Sequence, residues 1–229
     1  MQSFATIENN LETTDTGVYV LYFTQETHSV LLYCDHDSDI FVPLCSRPDC
    51  THNDEKCDAW YEGGINVCYY EGYLYIVEND TSSGAQNFLL LRVDLDGRNR
   101  KVVMESADTI RGYSASSGVV IMNGMFLFGL LKLDAQGQES KSLFYYCLDG
   151  SMDAPDLAPE FLPMASDGDT PLFYGESMEN PDNVAIYTWQ PGQQEQYLTE
   201  ADEEYNRVYY RADYFYKLID NKLYRIEYG

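Results

Sequence analysis

The sequence predicts an all-β fold of four-stranded antiparallel blades, a β-propeller, and three observations carry the prediction. Short runs of alternating Tyr, Leu and Val recur along the whole chain. Tight-turn signals separate them, notably Asn123-Gly124 and two Leu-Asp-Gly triplets ending at Gly97 and Gly150. The turn glycines also recur in register, since Gly72 precedes Gly124 by 52 residues and Gly97 precedes Gly150 by 53. Four strands in roughly 40 to 50 residues is the size of one propeller blade. A β-sandwich is the alternative that alternation alone would permit. The in-register glycines favour the propeller, because they repeat whole blades rather than hairpins.

The elements follow in order as a single propeller-like domain over residues 1–229, with blades near 17–44, 66–106, 118–160, 170–199 and 206–229 and a Cys-rich insert at 45–60. Val18–Phe23 and Val30–Cys34 supply the first strands. The second blade runs from Val67 through Tyr69-Tyr-Glu-Gly-Tyr-Leu-Tyr to Phe88–Gly97 and Arg100–Met104. The third repeats that plan from Val119 to Phe128 and from Leu143 to Gly150, and weaker copies follow around Leu172, Asn183–Gly192 and Arg207–Ile226. The last copy holds about half a blade. The sequence therefore predicts either that Val18–Phe23 closes the ring or that the module is partial, since an open strand edge invites aggregation.

Composition bounds the function. With 38 acidic and 14 basic residues in 229, the net charge is −24, which opposes phosphate binding and excludes a nucleic-acid partner. Acidic chains without large side chains stay disordered, but 10 Phe, 21 Tyr and 2 Trp predict a packed core here. No run reads as a membrane span: Val119–Leu131 falls short of roughly 18 residues and is broken by a hairpin signal. The first ten residues show neither a basic cluster nor an apolar stretch, so no export signal is read there.

One segment departs from the repeats. Cys45, Cys50, His52 and Cys57 fall within thirteen residues, at Cys-x4-Cys-x-His-x4-Cys. Three thiolates and an imidazole are a tetrahedral donor set suited to zinc, with Pro48 to turn the loop and a tight Cys50-x-His52 pair that has to bend around the ion. One or more disulfides among Cys34, Cys45, Cys50, Cys57 and Cys68 are the competing reading, since exported thiols oxidise and Cys34 and Cys68 flank the cluster, and reduced, buried thiols with no special role are the third. Cys147 lies inside a strand repeat and reads as a small core residue.

The run Val42-Pro-Leu-Cys-Ser-Arg-Pro-Asp-Cys-Thr-His, with Cys57 beyond it and the blades that follow, resembles a signature in exported lipoproteins of Gram-positive gut bacteria related to TolB-type propellers. The resemblance covers residues 17 to 110 well and the remainder through its blade pattern. It implies a propeller outside the cytoplasm, at the cell surface or secreted, with a lipid anchor in a longer precursor; it implies no reaction.

Other motifs weigh less. Asp35-His-Asp-Ser-Asp39 starts like a calcium loop but has Ile40 and Ser46 where Gly and Glu belong, so it reads as a solvated turn. Gly112–Gly118 misplaces the second glycine of a nucleophile elbow and reads as a loop between blades. Asn79-Asp80-Thr81 fits a glycosylation acceptor, and Asp149–Asp156 and Glu200–Glu204 read as solvated acidic surface. No catalytic residue is assigned. Trp60, Tyr61 and Trp189 are the ligand-binding candidates, because an aromatic face with a polar edge suits carbohydrate, peptide or protein ligands. The function predicted is a binding or scaffolding module, with a carbohydrate- or peptide-active hydrolase or lyase using the propeller channel as the alternative.

Overall fold

The computed structural model describes residues 11–24, 28–80, 87–106, 114–122, 124–133, 138–153, 162–167, 170–176, 184–189, 193–201, 208–211, 214–219 and 222–227. Among them there is no α-helix, and none long and apolar enough to cross a membrane. The strands form consecutive antiparallel sheets in which, with one exception in the first sheet, each strand pairs with its sequence neighbours. The first holds β1 (Leu11–Thr13), β2 (Gly17–Phe23), β3 (His28–Asp35), β4 (Val42–Pro43) and β5 (Trp60–Glu62), of which β4 and β5 both pair with β3. The second holds β6 (Gly64–Tyr70), β7 (Tyr73–Asp80), β8 (Asn87–Asp94) and β9 (Lys101–Glu105).

The third sheet is β10 (Ser114–Met122), β11 (Met125–Leu133), β12 (Glu139–Cys147) and β13 (Met152–Asp153). The fourth is β14 (Leu162–Asp167), β15 (Thr170–Glu176), β16 (Val184–Thr188) and β17 (Gln196–Ala201). The last is three-stranded, with β18 (Val208–Arg211), β19 (Tyr214–Ile219) and β20 (Lys222–Glu227). The fold is thus the all-β, propeller-like one that the sequence predicts.

Turn chemistry explains the register. Glu71 and Gly72 both have positive φ, 46° and 86°, so the β6–β7 hairpin turns in the mirror-image conformation that matches strand twist. Gly124 repeats the left-handed value at 71° between β10 and β11. At the β8–β9 turn, Asp94 N–H donates to Arg98 O, Gly97 N–H donates to Asp94 O, and Arg98 N–H donates to Asp96 Oδ1. The same three bonds recur at Cys147–Ser151, Gly150–Cys147 and Ser151–Asp149, each shifted by 53 residues. Gly97 and Gly150 complete both turns at φ 83° and 92°.

Each compact unit has its own core. In the unit that includes Asn9–Ser117, Tyr19, Leu21 and Leu31 of the first sheet interlock with Val67, Leu74, Ile76, Leu91 and Val93 of the second, together with Tyr61. Polar bonds tie the same two sheets: Tyr19 Oη donates to Leu95 O, Ser29 Oγ to Gly64 O, and Tyr69 N–H to the Glu12 carboxylate. In the other unit, Met125, Leu127 and Leu143 pack against Phe173, Ala185, Tyr187 and Trp189. Phe126 and Phe128 alternate onto the opposite face of β11, near Tyr146 and Phe144.

Three expectations are corrected. Val18–Phe23 cannot close a ring, because both of its edges are paired, to β1 and to β3. Residues 114–118 are strand rather than loop; their small side chains carry no alternation signal, yet the backbone extends β10. The first blade starts earlier than residue 17, at β1, whose buried Glu12 conceals a core position behind a charge. The Asp35–Asp39 segment is the expected turn, with Asp35 Oδ1 accepting from Asp37 N–H. Thr81 of the acceptor triplet, Gly112 and residues 154–156 and 202–204 of the acidic runs lie outside the described residues.

The two Leu-Asp-Gly turns make a prediction. An alanine Cβ at Gly97 would lie 2.5 Å from Leu44 O, whereas at Gly150 nothing lies within 4 Å. Gly150→Ala therefore costs only the left-handed backbone, about 1 kcal/mol, and Gly97→Ala about 3 kcal/mol because a fixed carbonyl has to move as well. Urea denaturation of the two variants measures the difference, and equal losses would mean that the Leu44 contact yields freely.

Candidate metal centre

The fourth strand of the first sheet comes in two pieces. β4 pairs with β3 at Leu32 and Tyr33, while β5 pairs with it from His28 to Val30. Between these registers stands Leu31, whose carbonyl accepts from Leu44 N–H and whose N–H donates to Ala59 O. The chain thus leaves the ladder and returns to it at one residue, and the Cys-rich segment is an excursion pinched within the outer strand of the first blade. The sequence placed this insert after the blade; the structure places it inside the blade's last strand, because β5 completes the pairing that β4 begins.

Local signals shape the excursion. Pro48 and Asp49 form a turn closed by Cys50 N–H to Arg47 O, and Pro at its second position presets the backbone. A second turn, Cys57 N–H to Asp54 O with Lys56 N–H on Asp54 Oδ1, delivers Cys57 to the core side. His52 has φ 56°, a left-handed conformation that a residue with a Cβ seldom adopts. That bend is how a Cys-x-His pair puts both side chains on one point, as the spacing required.

The four donor atoms of Cys45, Cys50, His52 and Cys57 all lie within 4.8 Å of one another. His52 Nδ1 is 3.3 Å from Cys57 Sγ. A tetrahedral zinc ion with Zn–S of about 2.3 Å holds its ligand atoms roughly 3.5–3.8 Å apart, so the cluster is close to the required size. Cys57 is buried beside Val30 and Ala59, with Cys45 and Cys50 half-buried against them.

The electrostatics favour a thiolate at one corner. Burial works against a charge on Cys45, but hydrogen bonds from the main chain of Arg47 and Asp58 and from the thiols of Cys50 and Cys57 outweigh it and bring the thiol down to about 7. Cys57 is pushed up to about 12, first by burial and then by the neighbouring Cys50 and Cys45; the Ala59 N–H acts in the opposite sense. The Arg47 guanidinium donates to Cys50 Sγ at 3.1 Å. Three thiolates, one neutral imidazole and a divalent ion carry one net negative charge, which Arg47 offsets.

All six cysteines are unbridged. The structure brings Cys45, Cys50, His52 and Cys57 together and directs the other thiols elsewhere: Cys34 Sγ donates to Ser38 O and Cys68 Sγ to Tyr75 O. Cys147 packs beside the core of the second unit, as a strand cysteine should.

The aromatic candidates divide. Tyr61 is 0% exposed and Trp189 3% exposed, both within apolar cores, so neither offers a face to a ligand; apolar area outweighs their polar edges. Trp60 is half-buried, stacked at 5.7 Å on His28. Sequence reasoning missed Arg47 and Arg100. Arg47 could have been noticed as a basic side chain between two of the cysteines, whereas Arg100 is 40 residues from its partner Trp60 and leaves no local signal.

No protein-family model and no curated protein matches the chain. Among solved structures, it is similar to the β-propeller domain of the Trilobed protease from Pyrococcus furiosus, described as having an open velcro topology. The identity is 12% and the TM-score 0.52, over 96% of this chain and 70% of that one. It is also similar to the polysaccharide lyase Uly1, at 11% identity and TM-score 0.53, over 95% of this chain. The chain spans 57% of the lyase's length. Identities this low establish the propeller fold and nothing of the chemistry.

Proposed function

We propose that the chain is an extracytoplasmic propeller module that binds or scaffolds a carbohydrate, peptide or protein at the cell surface, and that Cys45, Cys50, His52 and Cys57 hold a structural zinc ion. The convergence of four protein donors carries the reading. Such a set fills a tetrahedral ion completely and leaves no position for substrate, unlike catalytic sites with three protein ligands. Soft thiolates select zinc over magnesium or calcium. The resemblance to exported lipoproteins supports the location, and metal-bound thiolates are sheltered from the oxidation that such a compartment favours.

Binding at the surface suits a propeller, whose loops vary while its blades stay rigid. Trp60 is the remaining aromatic candidate for such a surface. The tests are direct. Elemental analysis of the native protein should find one zinc per chain, and intact mass under denaturing conditions should show no loss of about 2 Da per disulfide. A screen against glycans and peptidoglycan fragments should reveal binding without turnover; turnover would replace this reading with a hydrolase or lyase.

A further inference from the structure

The metal loop is braced from the second blade at both of its arms. On the outgoing arm, Gly97 comes so close to the Leu44 carbonyl that a Cβ would overlap it, and Arg98 Nε donates to Ser46 Oγ at 3.2 Å. On the returning arm, the Arg100 guanidinium donates to Asp58 O at 3.1 Å and to Trp60 O at 2.8 Å. The same guanidinium lies 4.0 Å from the ring centroid of the fully buried Tyr61. A planar cation suits this task, because one terminal nitrogen donates to both carbonyls while the flat guanidinium lies on an aromatic face.

The residues that Arg100 grips also build the donor cluster. The main chain of Asp58 hydrogen-bonds the Cys45 sulfur. Trp60 N–H donates to Cys57 O, and between these residues Ala59 N–H donates to Cys57 Sγ. Asp58 and Ala59 thus face the sulfur atoms with their N–H groups, while Asp58 and Trp60 turn their carbonyls to the second blade. Anything that orders this short segment serves both neighbours.

Resting on the zinc reading above, we propose that Arg100 is a positioning residue for the metal centre and that the loop is a clasp: metal occupancy and docking of residues 97–100 of the second blade against the first strengthen one another. Linkage makes the effect reciprocal. Zinc bound at the four donors tightens the grip of Arg100 on Asp58 and Trp60, and loss of that grip weakens zinc by the same factor.

The experiment measures zinc affinity by competition with a chromogenic chelator in the wild type, Arg100→Met, Arg100→Lys and the control Arg92→Met. Arg92 is also stacked over a tyrosine, with its guanidinium carbon 4.4 Å from the Tyr73 ring, but it lies on β8 rather than against the loop. The expected result is affinity about tenfold weaker in Arg100→Met, equivalent to about 1.4 kcal/mol of coupling. Arg100→Lys should fall between, keeping the charge but losing the planar group over Tyr61, and Arg92→Met should stay within about twofold. Wild-type affinity in Arg100→Met overturns the clasp and leaves the zinc centre standing. An equal loss in Arg92→Met also overturns it, by showing general loosening. Failure of the wild type to bind zinc removes both readings. Should Arg100→Met not fold, amide hydrogen exchange of the wild type decides: zinc slows exchange at residues 97–101 if the clasp exists and leaves it unchanged if it does not.

Discussion

Replacing Cys45, Cys50 and Cys57 together by Ser is expected to lower the melting temperature by about 10 °C or more. Structural zinc contributes apparent free energies of roughly 10–16 kcal/mol in zinc-finger peptides, because an unfolded chain offers no preformed site. Even half of that, at about 2–4 °C per kcal/mol for a chain of this size, gives the stated shift. The loop also completes the outer strand of the first blade through Leu31, so its loosening is felt by the core beneath. A chelator should bring the wild type down to the level of the variant, whereas a reductant alone should not. Unchanged melting in the triple variant would leave the thiols without a structural role.

The second large effect concerns Glu12. Its carboxylate accepts from Thr13 N–H and Tyr69 N–H but is almost wholly buried in β1. Burial raises its pKa to about 8, against the two N–H groups that favour the charge. The folded protein therefore holds a proton that the unfolded chain releases above about 4.5. Stability from this group is fully present below pH 4.5 and is lost as the pH rises towards 8, on the order of 5 kcal/mol over the window.

Glu12→Gln cannot ionise, so its stability relative to the wild type should climb steadily from pH 5 to pH 8. The difference between the two proteins cancels the slopes of the other carboxylates, and urea denaturation at several pH values reads it. Gln keeps one accepting oxygen, so a constant offset is expected alongside the slope. A difference independent of pH would show that Glu12 titrates as an exposed carboxyl does.

Much of the fold was legible in local chemistry. Alternation at period two marked strands, and glycines at 72, 97, 124 and 150 marked the turns that need positive φ, because only a residue without a Cβ adopts that backbone freely. β1 was not legible, since Glu12 sits where the pattern demands an apolar residue. Nor was the strand character of Ser114–Gly118, where no side chain is large enough to signal a face. The burial of Tyr61 and Trp189 was not legible either, because an aromatic near a strand end looks the same in sequence whether it meets water or a neighbouring sheet.

The sequence by itself determined the repeat, its turns and the donor types in one short loop, for these depend on residues within a few positions of one another. Only the tertiary structure decided that the four donors converge while Cys34 and Cys68 turn away, that Leu31 anchors both arms of the loop, and that Arg100 reaches them from the second blade. Those outcomes depend on contacts between segments tens of residues apart, which are set by how the sheets pack rather than by the order of side chains along any one strand.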